Sequence, residues 1–427
     1  MLSDASTKIR RLAIAGLCAS TLLCAAGPAQ AATFVLNDVG GRVAGTPAER
    51  GFRAAAAFWS SVLTNDVTIR LDIDFRSLAP GVLGSTGSNS GSLLVQNAYY
   101  GLATTGNSAL DAQAVANLSP LGASQFGPGI YALTPVTSAY VDPVNRIGVD
   151  TTKTWLDNDG GANNVVLDVN TANMRALGFD FDDDGNDLTN VTDGSITFSS
   201  DFAFDFDPTD GITPGSFDFI GVAIHEIGHA LGFVSGIDTY DVVGRDNGPL
   251  SGPFEAGAFG TADIGEFRVF SMLDLFRYSA DGVLDLSVGT DSYFSLDGGA
   301  SQLFGNSLFS TGAYNGNGDQ ASHWLDSNYF VGTPGCPIGD TPLGIMDPTF
   351  APCEAGAIRA LDLAAFDAMG WNINFDVLAN SGYRYTTAQA YAAIPEPMLW
   401  AQMILGFGLL GGALRRARAR KLSVTFG

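Results

Sequence analysis

The chain has 427 residues and a formal net charge of −23, with 44 acidic side chains against 21 basic ones. So acidic a surface repels nucleic acid and anionic lipid, which excludes both as expected partners. The acidity comes from 38 Asp and only 6 Glu, beside 53 Gly; Asp favours turns and caps over helix interiors, so the composition reads as a loop-rich exported protein with a use for calcium.

In chain order, Lys8, Arg10 and Arg11 precede an apolar run over 12–26, and Ala29-Gln30-Ala31 has the small-residue spacing of a cleavage site. This predicts a secretory signal peptide over 1–31 that takes Cys18 and Cys24 with it. A strand follows at 33–36. A helix spans 47–63, with Thr46 as cap, Pro47 at the first position, and Phe52, Ala55, Ala56, Trp59 and Val62 on one face. Residues 67–75 alternate apolar and polar as a half-buried strand. Residues 79–92 read as a Gly/Ser-rich loop, and 108–118 as a helix turning Leu110, Val115 and Leu118 inward.

Strands are expected at 164–168 and 195–199, with 202–206 extending the second. Between them Asp180, Asp182 and Asp184 alternate ahead of Gly185, the first half of a calcium loop. The glutamate due at its twelfth position is Val191, so Asp187 or Asp193 would have to compensate; a solvated acidic loop is the plain alternative. Residues 217–231 read as a helix capped by Ser216, with Asp218 in its first turn and Gly232 as its stop. From 233 to 353 there is little helical period, and 355–369 closes the body as a helix. Cys336 and Cys353 predict one disulfide in an exported chain, two buried free thiols being the alternative.

The end of the chain has three parts: Pro395-Glu396-Pro397, a mostly apolar stretch over 398–414, and a basic cluster over 415–421. The apolar stretch is at the short limit for a bilayer crossing, and the cluster beyond it marks the cytoplasmic side. A permanent single-pass anchor is one reading of this tail.

The chemistry concentrates at His225-Glu226-Ile227-Gly228-His229. Two imidazoles four apart on a helix share a face and can hold one ion. Glu226, next to the first ligand, is placed to act as general base toward a water that a zinc ion activates. A third protein ligand is needed. The one other histidine is His323, followed by Trp324; Asp238, Glu255 and Glu266 are competing donors, and the other reading of Asp238 is that it orients a ligand.

His225-Glu226-x-x-His229-x-x-Gly232 resembles the signature of the metzincin clan of zinc metallopeptidases up to its glycine. Ser235 stands where the clan places a nearby third histidine, so the site is either broken or completed from elsewhere. Gly344-Ile345-Met346-Asp347-Pro348 resembles the clan's Met-turn, with Met346 beneath the metal. A distant third histidine followed by Trp resembles the leishmanolysin type and implies His225, His229 and His323 as zinc ligands. The resemblance covers about 195–371. It implies an α+β fold with a mixed twisted sheet and two helices in an N-terminal subdomain (32–232). A loop-rich C-terminal subdomain (233–376) carries the Met-turn and closing helix, and a spacer spans 377–394. It further implies that 195–206 contains the edge strand facing substrate, that a Cys336–Cys353 disulfide braces the floor of the site, and that the substrates are proteins or peptides.

Residues 395–427 resemble a PEP-CTERM sorting signal. This implies a Gram-negative source, transient inner-membrane anchoring through 398–414, cutting by an exosortase-type enzyme, and a destination at the cell surface or matrix. The whole architecture is similar to the PEP-CTERM-tagged metallopeptidases. The expected function is a secreted zinc endopeptidase; the alternative is a surface or biofilm-matrix protein, structural or adhesive, that keeps a metal only to staple its fold.

Overall fold

The computed structural model describes residues 31–244, 263–327, 331–333, 336–337, 342–394 and 415. Residues 1–30 of the expected signal peptide, Glu255, Pro395, Glu396, Pro397 and the apolar segment 398–414 lie outside them. Among the described residues no helix is long and apolar enough to cross a membrane.

The fold is mixed α+β, with several small sheets. Strand β1 (Thr33–Asp38) leads into helix α1 (Pro47–Val62), where Pro47 occupies a first-turn position whose N–H would have no helical partner anyway. Phe52, Ala55, Ala56, Trp59 and Val62 form its buried face as the spacing predicts. Strand β2 (Thr68–Arg76) follows, alternating as expected, with Ile69, Leu71 and Ile73 inside. Strands β3 (Gly84–Ser88) and β4 (Gly194–Ser199) complete a four-stranded sheet in the order β1-β2-β4-β3. β4 is parallel to β2, and β3 is antiparallel to β4, with Ile196 opposite both Ile73 and Thr86.

Helix α2 (Phe219–Ala230) packs on α1. Trp59 Nε1 donates to Ile224 O at 3.1 Å, and the Phe52 ring meets Phe198 and Phe219 edge-on at 5.1 and 5.2 Å. These contacts fix the candidate metal-binding helix against the sheet. A second sheet joins Val136–Ala139 and Asp150–Leu156 to Arg277–Ala280, Val283–Leu286 and Tyr293–Phe294, so stretches on both sides of Gly232 share it. Helix α3 (Ala360–Ala368) lies under α2, with Phe366 against Trp59 and Phe233.

Several expectations are corrected. The edge strand beside α2 is β3, inside the stretch read as a Gly/Ser loop, whereas β4 is interior. Only Phe204–Asp205 of 202–206 is extended, and it pairs with Phe217–Asp218 rather than prolonging β4, because Phe204 and Phe206 pack on Phe219. That pairing delays the start of α2, so Asp218, not Ser216, is its cap, accepting from Ile220 N and Gly221 N at 3.0 Å each. The helix expected from 355 begins at Ala360, because Ala357–Arg359 pairs with Arg384–Thr386. The strand expected at 164–168 is Val166–Asn170, preceded by a helical turn, Ala162–Val165.

Candidate metal centre

His225 and His229 lie on one face of α2 with their Nε2 atoms 3.0 Å apart, and His323 Nε2 is 3.2 Å from each. Each Nδ1 faces a backbone carbonyl: His225 with Ile345 O at 2.8 Å, His229 with Phe233 O at 2.7 Å, His323 with Gln320 O at 3.2 Å. A carbonyl only accepts, so each Nδ1 carries the proton and each Nε2 turns a lone pair to the common centre. Three lone pairs at that spacing repel unless a cation lies between them, which is the arrangement of imidazole metal ligands. Burial pushes the pKa of His225 down to about 3 and of His229 down to about 4, and holds that of His323 well below the usual range, so all three stay neutral. These three are close enough to bind a metal ion, and no other group of three His, Cys, Asp or Glu among the described residues is.

The local chain explains how they meet. Gly232, at φ +116°, ends α2 and turns the chain so that Phe233 can return its carbonyl to His229. Ser235, which stands where the metzincin signature has a histidine, donates its N–H to Ser322 Oγ and its hydroxyl to Asp274. Asp238 lies outside the cluster; it accepts from Ala321 N at 2.7 Å and Ser322 N at 3.2 Å and so grips the loop that carries His323, in keeping with an orienting role. Glu266 is exposed and outside the cluster.

Met346 is fully buried against α2. A side chain at Gly228 would place its Cβ 2.6 Å from Met346 Sδ, so the glycine inside the His-Glu motif leaves the room that the buried methionine takes. Asp362 on α3 organises this floor, accepting from Ile345 N, Met346 N, Arg359 N and Trp324 Nε1. Cys353 is disulfide-bonded, while the side chain of Cys336 lies outside the described residues.

Glu226 points into a cavity of about 620 Å³ shared with the three histidines and flanked by Val222 and Phe350. Burial pushes its pKa up to about 7, against the hydrogen bond it receives from Thr86 Oγ1 at 2.7 Å. β3 runs so close that a Cβ at Gly84 would lie 2.8 Å from Glu226 Oε1. Neither Thr86 nor Gly84 was singled out from the sequence, because nothing in a Gly/Ser run marks an edge strand.

Asp180, Asp182 and Asp184 do not converge on one point. Asp182 accepts from Asp184 N, Asn186 N and Asn186 Nδ2 within its own turn, and Asp184 takes Ser92 and Arg268. Asp193 is buried against Arg175 at 2.6 Å. Asp182 thus closes on donors of its own turn, as in an acidic turn, while Asp184 is held from outside it.

The chain has no significant match among protein-family models, curated proteins or solved structures.

Proposed function

We propose that this chain is a zinc-dependent endopeptidase of metzincin type, with His225, His229 and His323 holding the ion and Glu226 as general base. The observation that carries the reading is the convergence of three neutral imidazole Nε2 atoms beside a buried carboxyl in an open cavity. Zinc bound there supplies a Lewis acid that polarises a peptide carbonyl and makes a water acidic. The chain's own residues do the rest. Glu226, with a pKa near neutrality, takes a proton from water and passes it to the leaving amine. Thr86 holds its carboxylate. The free side of β3 offers backbone N–H and C=O groups to an extended peptide.

A base beside the ligands favours catalysis over a purely structural metal. Residues 1–31 and 395–427 support export, sorting by an exosortase-type enzyme and delivery to the surface of a Gram-negative cell. The test is digestion of a mixed peptide library by the full chain loaded with zinc, wild type beside Glu226→Gln. Cleavage by wild type alone, with both proteins holding one zinc, is expected. If zinc-loaded wild type cuts nothing, the endopeptidase reading fails and the metal-stapled surface protein replaces it.

A further inference from the structure

Away from the histidines, Asp157 and Asn163 are each 1% exposed, and each keeps a buried Oδ1 with no hydrogen-bond partner. Their other atoms are engaged. Asn163 Nδ2 donates to Asp157 Oδ2 at 2.8 Å and meets Tyr240 Oη at 3.1 Å, which sets the amide with its oxygen turned away. On that side more oxygens gather: a Cβ at Gly161 would lie 3.0 Å from Asp159 Oδ1, 3.1 Å from Gly265 O and 3.2 Å from Asn163 Oδ1. Gly161 has φ −68°, which any residue adopts, so its backbone does not demand glycine. A methyl group there would nevertheless press on three oxygens at once.

The Gly161 N–H donates to Asp159 Oδ1 at 2.7 Å, but Asn163 Oδ1 and the Gly265 carbonyl are acceptors only, and a buried acceptor without a donor, as Asn163 Oδ1 is, is costly and rare in native proteins. The charge is also uncompensated: Asp157, Asp159 and Asp263 all act on Tyr240, while Arg146 is the cation paired with Asp159 and Asp263. Carboxylate, amide and carbonyl oxygens together are the donor set of a hard cation, not of a thiophilic or imidazole-bound metal. We propose that Asp159 Oδ1, Asn163 Oδ1 and the Gly265 carbonyl bind a divalent cation of the calcium class, with Asp157 orienting the Asn163 amide from its other side and adding negative charge. The ion would clamp the turn after strand Asp150–Leu156 to the helical turn Ala162–Val165 and to the 264–266 turn, and through Tyr240 to helix Ile237–Val243, the first helix after α2. Burial, then the neighbouring Asp159, pushes the pKa of Asp157 up to about 6, against the hydrogen bonds it receives from Asn163 and Asn164.

The test titrates calcium into the full chain after chelation and return of zinc, by calorimetry and by melting. One calcium with a Kd of about 1 mM or tighter is expected, the range of extracellular sites. Saturating calcium should raise Tm by about 3 °C or more. Gly161→Ala, which fills the cradle with a methyl group, should lose both effects, and Asp157→Asn should bind at least about tenfold more weakly. Asp182→Asn should bind as wild type does, which separates this site from the Asp180–Asp184 loop. No calcium on wild type, full binding by Gly161→Ala, or binding lost in Asp182→Asn overturns the proposal. If Gly161→Ala does not fold, terbium is added to the Asp182→Asn protein: tyrosine-sensitised emission that calcium displaces is expected, and its absence overturns the site equally.

Discussion

Trp324 Nε1 donates to Asp362 Oδ1 across 2.9 Å, and this bond ties the residue after the third candidate ligand to the turn beneath the metal centre. The same carboxylate accepts Ile345 N at 2.9 Å and Met346 N at 3.3 Å, while Ile345 returns its carbonyl to His225. Four donors converge on Asp362 and no acceptor does, so only a carboxylate fits.

Asp362→Asn should therefore cost about 3 kcal/mol, because an amide nitrogen turned toward N–H groups leaves buried donors unpaired. It should also weaken zinc binding at least about tenfold, the scale seen when groups that orient metal ligands are lost. Chemical denaturation with and without zinc, beside a zinc titration, measures both. Unchanged zinc affinity in a destabilised variant would confine Asp362 to folding.

Thr86→Val removes the hydroxyl that donates to Glu226. A hydrogen bond to a charged group is worth roughly 1.5–3 kcal/mol, so kcat/KM for a peptide substrate should fall by about 10–100-fold. Thr86→Ser should restore most of it. Equal activity in the Val and Ser variants would show that the side chain only packs β3 against α2.

The two kinds of site residue were unequally legible. His225, Glu226 and His229 announce themselves because helical periodicity is local: residues four apart meet whatever the rest of the chain does. His323 was reachable only through scarcity, since the chain has 3 His in all, and through the resemblance of the Met346 turn. What the sequence hid was tertiary. β3 is built of Gly84, Ser85, Thr86, Gly87 and Ser88, residues with weak strand preference, and forms because β4 offers an open edge. Asp218 displaced Ser216 as cap because its second oxygen also takes Gly356 N and Thr387, partners more than a hundred residues away. The pattern Asp180-x-Asp182-x-Asp184-Gly185 left a calcium loop and a plain acidic turn open, and local and distant donors decide it: the turn's own backbone takes Asp182, and Ser92 and Arg268 take Asp184.

Gly228 and Met346 offer a test of the floor by coupling. Gly228→Ala alone should destabilise by about 1–3 kcal/mol through overpacking on Met346. Met346→Ala alone should cost about 2–5 kcal/mol as a core truncation. The double variant should cost less than the sum by about 1 kcal/mol, since each change relieves the defect of the other. Strict additivity in urea melts would mean that the two side chains do not compete for one space.

Asp367 gives a pH prediction that does not involve the metal. It is fully buried on α3, receives Ser108 Oγ at 3.0 Å, and keeps Oδ1 without a partner. Burial, then the nearby Asp111, pushes its pKa up to about 8 from 3.8. Between those values the folded protein holds a proton that the unfolded chain has lost. Stability from this group is therefore complete below the unfolded pKa and declines as pH rises toward the folded one, by at most roughly 1.4 kcal/mol per pH unit. Asp367→Asn keeps an acceptor for Ser108 and removes the titration. The variant should gain on wild type steadily between pH 5 and pH 8, by several degrees in Tm on the order expected from that slope, and the gap should level off above pH 8. Paired thermal melts across this range make the comparison, and contributions from His225, His229 and His323 cancel because both proteins share them. A difference in Tm that stays constant with pH would mean that Asp367 is ionised in the folded protein, its charge held by Ser108 and the Ile373 backbone.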